Sequence, residues 1–161
     1  MLVVCTANIC RSPVAEALLR ARLHAAGLTK WTVSSAGTWV EPGHTAAPFS
    51  IALMAERGLD IQQHRSQSVT EPLMQQADLV LCLETGHAQT LRQAYPAHRH
   101  KIYTLRHMAG QRGSVRDPYG GTRQHYERMV AEVDDLIERG FPRIQTLAQE
   151  NWQRRSEDGP G

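Results

Sequence analysis

The chain has 161 residues, enough for one domain with a real core, and its formal charge is near balance at +2 with eight histidines neutral. That balance offers no nucleic-acid patch, no apolar run approaches the ~20 residues of a membrane span, and no basic leader precedes an apolar stretch, so neither membrane attachment nor a signal peptide is expected. Three cysteines, an odd number, argue against a disulfide scaffold and fit a reducing, cytoplasmic setting.

Met1-Leu2-Val3-Val4 reads as a short buried strand. It runs through the loop Cys5-Thr6-Ala7-Asn8-Ile9-Cys10-Arg11-Ser12 into a helix expected over 13–26, with Val14, Ala17, Leu18, Ala21 and Ala25 on one face and Gly27 as its stop. Residues 31–35 read as a second strand broken at Ala36-Gly37, and 48–57 as a helix closed by Gly58. After a polar, irregular stretch over 60–68, a short helix is expected from Thr70. Residues 77–83 form the clearest strand, an unbroken apolar run of the kind covered on both faces of a parallel sheet. Thr85 is read as the cap of a helix reaching about Tyr95, and 101–105 as the fourth strand. A long loop over 106–121 carries Asp117-Pro118-Tyr119. The last helix is expected over 122–139, interrupted at Gly140-Pro142 before a further stretch over 141–152. One domain over 1–154 is expected, and the polar tail, 155–161, is expected to be disordered.

Strands alternating with helices predict an α/β three-layer sandwich: a four-stranded parallel sheet with helices on both faces, and a phosphate-binding loop after strand 1. Ligands in such folds bind beyond the carboxyl ends of the strands, where the Cys5 loop lies. The first amides of a helix lack intrahelical partners and carry the positive end of its dipole, so a loop feeding them is a ready anion site. Pro13 suits the first turn, where its missing N–H costs nothing. The spacing Cys-x5-Arg-Ser puts a thiol at the bottom of that cradle and a planar, bidentate donor at its rim. Thiolate is the reactive form of cysteine, and helix N-termini and cations favour it. The arrangement that binds an oxyanion therefore also activates Cys5, which points to phosphoryl transfer through a cysteinyl-phosphate. Such chemistry needs an acid for the leaving oxygen and a base for the water that follows. Asp117, restrained by Pro118 and flanked by Gly113, Gly120 and Gly121 on a potential lid, is the candidate. A simple turn at Asp117-Pro118 is the plain alternative.

Cys5–Ser12 followed by Pro13, Ala15, Glu16 and Ala17 resembles the signature of the low-molecular-weight protein tyrosine phosphatases of bacterial type. Ser35-Ala36-Gly37, His64-Arg65, the strand over 78–84 and Asp117-Pro118-Tyr119 follow in that family's order, so the resemblance covers roughly residues 1–140. It implies hydrolysis without metal or cofactor, with a phosphorylated protein as substrate and inorganic phosphate or another oxyanion in the loop. On the resemblance, Cys5 is the nucleophile, Arg11 the phosphate clamp and Asp117 the general acid. Thr6, Ala7, Asn8, Ile9, Cys10 and Ser12 complete the phosphate loop, with Ser12 donating to the Cys5 sulfur. Asn8 would support the loop in a left-handed turn, which asparagine tolerates, with Ser35 and His64 as its partners. Trp39 and Tyr119 would line the substrate cleft. A reversible Cys5–Cys10 disulfide is likewise implied by the resemblance.

The sequence departs from the family at Ala7, where glycine is usual, at Leu83-Glu84 in place of Met-Asp, and at Gly120 in place of a second tyrosine. Protein-arginine phosphatases resemble the chain closely too, but tend to carry threonine at the position of Ile9. A branched apolar side chain there crowds a phosphoguanidinium and suits a flat phenyl phosphate. Arsenate reductase, which uses a similar loop, needs a relay of further cysteines, and no partner follows Cys82. A mere phosphate-binding module needs neither a thiol nor an acid.

Overall fold

A computed structural model describes residues 1–159. Four strands, β1 (Leu2–Cys5), β2 (Ser34–Gly37), β3 (Val80–Cys82) and β4 (Ile102–Thr104), make one parallel sheet in the order β2-β1-β3-β4. The helices are α1 (Arg11–Ala25), α2 (Pro48–Glu56), α3 (Glu71–Gln76), α4 (Thr85–Ala94), α5 (Leu105–Met108) and α6 (Arg123–Glu157), with a 3₁₀ segment over Pro96–Lys101. The period of two along β1 divides the core. Val3 and Cys5 face α1, α2 and α6, whereas Leu2 and Val4 pack with Met74, Ala88 and Leu91 from α3 and α4. The expected three layers result. From β1 the chain moves to opposite sides for β2 and β3, and at such a switch point the carboxyl edge opens into a crevice. No helix among the described residues is long and apolar enough to cross a membrane.

Four local expectations are corrected. β2 lies later than 31–35 and includes the supposed breakers, with Ala36 opposite Val4 and Gly37 opposite Cys5. The reason is close approach: a Cβ on Gly37 would lie 2.3 Å from the Thr6 carbonyl oxygen, so only glycine lets this strand pass under the loop. Glu84, not Thr85, occupies the N-cap of α4, and α5 opens the segment expected to be a loop. α6 is continuous for 35 residues despite Pro142. Pro142 faces solvent, while Phe141, Ile144 and Ala148 beyond the expected break are buried at 3%, 0% and 4% exposure. Three such side chains outweigh the ~3 kcal/mol that an interior proline costs a helix. Gly140 belongs to the same contact, since a Cβ there would meet Met108 of α5 at 2.7 Å.

The tail expected to be disordered is helical through Glu157, because Arg155 reaches Asp78 (Nε to Oδ1, 3.0 Å) and donates to the Gln76 carbonyl at 3.2 Å. Residues 160 and 161 lie outside the described residues.

Candidate active site

The loop between β1 and α1 is a bowl whose carbonyls point outward. The Cys5, Thr6 and Ile9 carbonyls accept from the amides of Thr38, Trp39 and Ala47 at 3.0, 3.0 and 2.8 Å. The Cys10 carbonyl accepts from Ser50 Oγ at 3.0 Å, and the Asn8 carbonyl lies 2.6 Å from His64 Nε2, which must donate. Among the described residues the amides of Thr6 through Cys10 meet no protein acceptor, so the interior of the bowl presents donors to an anion.

Asn8 anchors the bowl. It is fully buried, and at φ 59° it is the one non-glycine left-handed residue among those described. Its Nδ2 donates to Ser12 Oγ at 2.7 Å and to Ser35 Oγ at 3.0 Å, and its Oδ1 accepts from the Gln67 amide at 3.0 Å. These bonds orient the hydroxyls. Ser35 donates onward to Glu16 Oε2 at 2.8 Å, and Ser12 Oγ stands 2.9 Å from Cys5 Sγ, where its hydroxyl can donate to a thiolate. A chain of hydrogen-bonded groups therefore links Asn8 through Ser12 to the sulfur.

Arg11 is the largest fully buried side chain, 1% exposed at the head of α1. A buried guanidinium must be paired. Its Nη1 donates to Glu84 Oε1 at 2.5 Å and to the Val115 carbonyl at 2.8 Å, and its Nη2 reaches Thr6 Oγ1 at 3.3 Å and stands 3.5 Å from Asp117 Oδ2. Its Nε has no partner, although buried. That leaves a charged donor available to a bound oxyanion at the rim of the bowl.

Thr6 Oγ1 also meets the buried His87 Nε2 at 2.9 Å, and His87 Nδ1 is buried without a partner. Burial holds the His87 pKa below the usual histidine value, against the pull of Glu84 3.6 Å away. Burial thus favours the neutral ring of His87, held against Thr6 through Nε2.

Cys5, Thr6, Ala7, Ile9, Cys10, Arg11, Asp117 and Tyr119 line one cleft of about 170 Å³. The structure thereby brings the thiol, the guanidinium and the carboxylate together from opposite ends of the chain. Ser12, Ser35 and His64 stand behind the cleft around Asn8. Trp39 is not among the lining residues; it is 85% exposed and joins the loop through its amide, which rules out a core role. Tyr119 is 72% exposed at the mouth. Cys10 is buried, its Sγ 3.4 Å from the Tyr126 hydroxyl, and burial pushes its thiol up to about 11. Two larger cavities near Asp78 and Arg155, at the opposite edge of the sheet, hold no thiol.

The sequence reading missed Gln67 and His87 and treated Glu84 as a strand end. The one available signal was position: Glu84 follows β3 directly, at the edge where ligands bind.

Over residues 1–152 the sequence matches the family described as low molecular weight phosphotyrosine protein phosphatase. The protein-arginine-phosphatase of Bacillus subtilis is 36% identical over 135 residues, covering 83% of this chain and 89% of its own. The probable low molecular weight protein-tyrosine-phosphatase EpsP of Ralstonia nicotianae is 34% identical over 147 residues, covering 91% and 97%. The crystal structure of a low molecular weight protein tyrosine phosphatase from T. tengcongensis superposes with a TM-score of 0.83 at 36% identity, over 88% of this chain and 97% of that one.

Proposed function

Because the chain belongs to the low molecular weight protein tyrosine phosphatase family and is a phosphatase of phosphorylated proteins, we propose that it hydrolyses phosphotyrosine, with Cys5, Arg11 and Asp117 as its catalytic residues. In the first step the Cys5 thiolate attacks phosphorus, the P–O bond to the phenol breaks, and Asp117 protonates the departing oxygen. In the second, the Asp117 carboxylate takes a proton from water, whose oxygen attacks the phosphocysteine, and the P–S bond breaks to return thiolate and release inorganic phosphate. Arg11 and the loop amides neutralise charge on the equatorial oxygens in both steps. Ser12 stabilises the sulfur as it leaves. The three unpaired thiols suit the cytoplasmic setting we assign to the enzyme.

The observation that carries the phosphotyrosine assignment is Ile9. It lines the cleft together with Ala7 and Tyr119, which makes the wall beside Cys5 apolar and suited to a phenyl ring. The curated relatives include both protein-arginine and protein-tyrosine phosphatases, so phosphoarginine is the competing substrate. The test is steady-state hydrolysis of phosphotyrosine and phosphoarginine side by side, for wild type, Cys5→Ser and Ile9→Thr. Dominant phosphotyrosine turnover that Cys5→Ser abolishes supports the reading. Dominant phosphoarginine turnover overturns the role of Ile9, as does an unchanged ratio of the two rates in Ile9→Thr.

A further inference from the structure

A second groove, of about 240 Å³, continues from the catalytic cleft, since Asp117 and Tyr119 line both. Arg116, His125 and Arg128 also line it. Both arginines are exposed, and neither makes a hydrogen bond or ion pair among the described residues. Of the other arginines nearby, Arg106 is paired with Glu132 at 2.6 Å and Arg123 with Glu56 and Glu127, and Arg112, whose side chain is also without a partner among the described residues, does not line the groove. The one carboxylate lining the groove besides Asp117, that of Glu132, is already held by Arg106. Two unneutralised guanidinium groups therefore face a groove that opens from the phosphate site.

We infer that Arg116 and Arg128 form a subsite for a negatively charged residue, carboxylate or phosphoryl, flanking the target phosphotyrosine of the protein substrate. The inference rests on the phosphotyrosine reading above. Charge complementarity selects the occupant: a planar fork binds carboxylate or phosphate in bidentate fashion, and Arg does so better than any other side chain. The reach selects its position. The two sites share Asp117 and Tyr119 as a common wall, so a residue within roughly three of the phosphotyrosine, ~10 Å of extended chain, enters the groove. The charged walls also attract acidic segments before contact, which raises the rate of encounter.

The test compares kcat/KM for phosphotyrosine peptides that differ only in the residues flanking the target on either side: glutamate, glutamine or lysine. p-Nitrophenyl phosphate, which has no flanks, is measured in parallel. Two exposed ion pairs predict a preference for glutamate over glutamine of about fivefold. Arg128→Glu should invert the order in favour of the lysine peptide, and Arg116→Gln should reduce the glutamate preference about twofold. p-Nitrophenyl phosphate turnover should hold in Arg128→Glu, which also certifies its fold. Wild type gives a reading independent of any variant: raising salt toward ~1 M, where screening acts within ~3 Å, should abolish the glutamate preference. Equal turnover of the three peptides by wild type overturns the subsite, as does a glutamate preference that survives both Arg128→Glu and high salt. Absence of p-nitrophenyl phosphate turnover in wild type removes the phosphatase reading itself, and the subsite with it.

Discussion

Replacing Asn8 with alanine tests whether a single buried amide holds the phosphate loop in shape. The side chain makes three hydrogen bonds, to Ser12, Ser35 and the Gln67 amide, at 2.7, 3.0 and 3.0 Å. At about 1 kcal/mol net each, their loss costs roughly 3 kcal/mol, and the Gln67 amide is left without its acceptor. Alanine at φ 59° adds about 1 kcal/mol of backbone strain that asparagine largely avoids. Asn8→Ala should therefore lose roughly 4 kcal/mol of stability, and Asn8→Gly, which relieves the strain but not the bonds, nearer 3 kcal/mol. Both stay folded if the domain has an ordinary stability of about 5–15 kcal/mol. Urea unfolding at pH 7 measures the pair. Activity should fall further than stability implies: the bowl loses its convergence on phosphorus, and a displacement of ~1 Å costs about 100-fold in rate. The reasoning fails if both variants unfold within ~1 kcal/mol of wild type and keep kcat/KM within twofold.

Gly37→Ala should destabilise by about 2 kcal/mol and lower activity, since the new Cβ would press on the Thr6 carbonyl at 2.3 Å, a backbone atom that cannot swing aside. Gly86→Ala, with open space around it in the first turn of α4, should be neutral or stabilising in the same thermal scan. His87 has its folded pKa lowered by burial, so the unfolded chain takes up the proton first on acidification. Its contribution is full above its unfolded value of about 6.5 and is lost as pH falls below it. Urea midpoints measured from pH 7.5 to 5 should therefore drop for wild type and drop less for His87→Gln. Burial pushes the Cys10 thiol up to about 11, so the Cys5–Cys10 disulfide implied by the family should form under mild peroxide faster as pH rises from 7 toward 10. Mass mapping that finds Cys5 as sulfinic acid with Cys10 still free would count against it. Pro142→Ala should raise the thermal midpoint, because the new amide can donate within α6 to the carbonyl of Glu138.

The anion-binding geometry at the N-terminus was legible because it is local. Cys5, Asn8, Arg11 and Ser12 sit in one strand–loop–helix unit, where a five-residue loop turns the amides inward and the helix end supplies the field. Alternating apolar strands and helices likewise determined the parallel sheet and its two covered faces. Asp117 was legible as a candidate, from its proline and glycines, but only the fold carries it to within 3.5 Å of Arg11.

What the tertiary structure alone decided involves residues far apart in the chain. Glu84 meets Arg11 across 73 positions, His87 meets Thr6 across 81, and the Gln67 amide meets Asn8 across 59. No local pattern encodes such pairs, since each is set by strand order and register. The same holds for two of the misread segments. Gly37 and Pro142 carry strong local signals for a break, yet Gly37 closes β2 and Pro142 lies inside α6. The strand under the phosphate loop needs a residue without a side chain, and the apolar face of α6 beyond Pro142 has the sheet to cover it. A local propensity worth about 1–3 kcal/mol yields wherever packing supplies more.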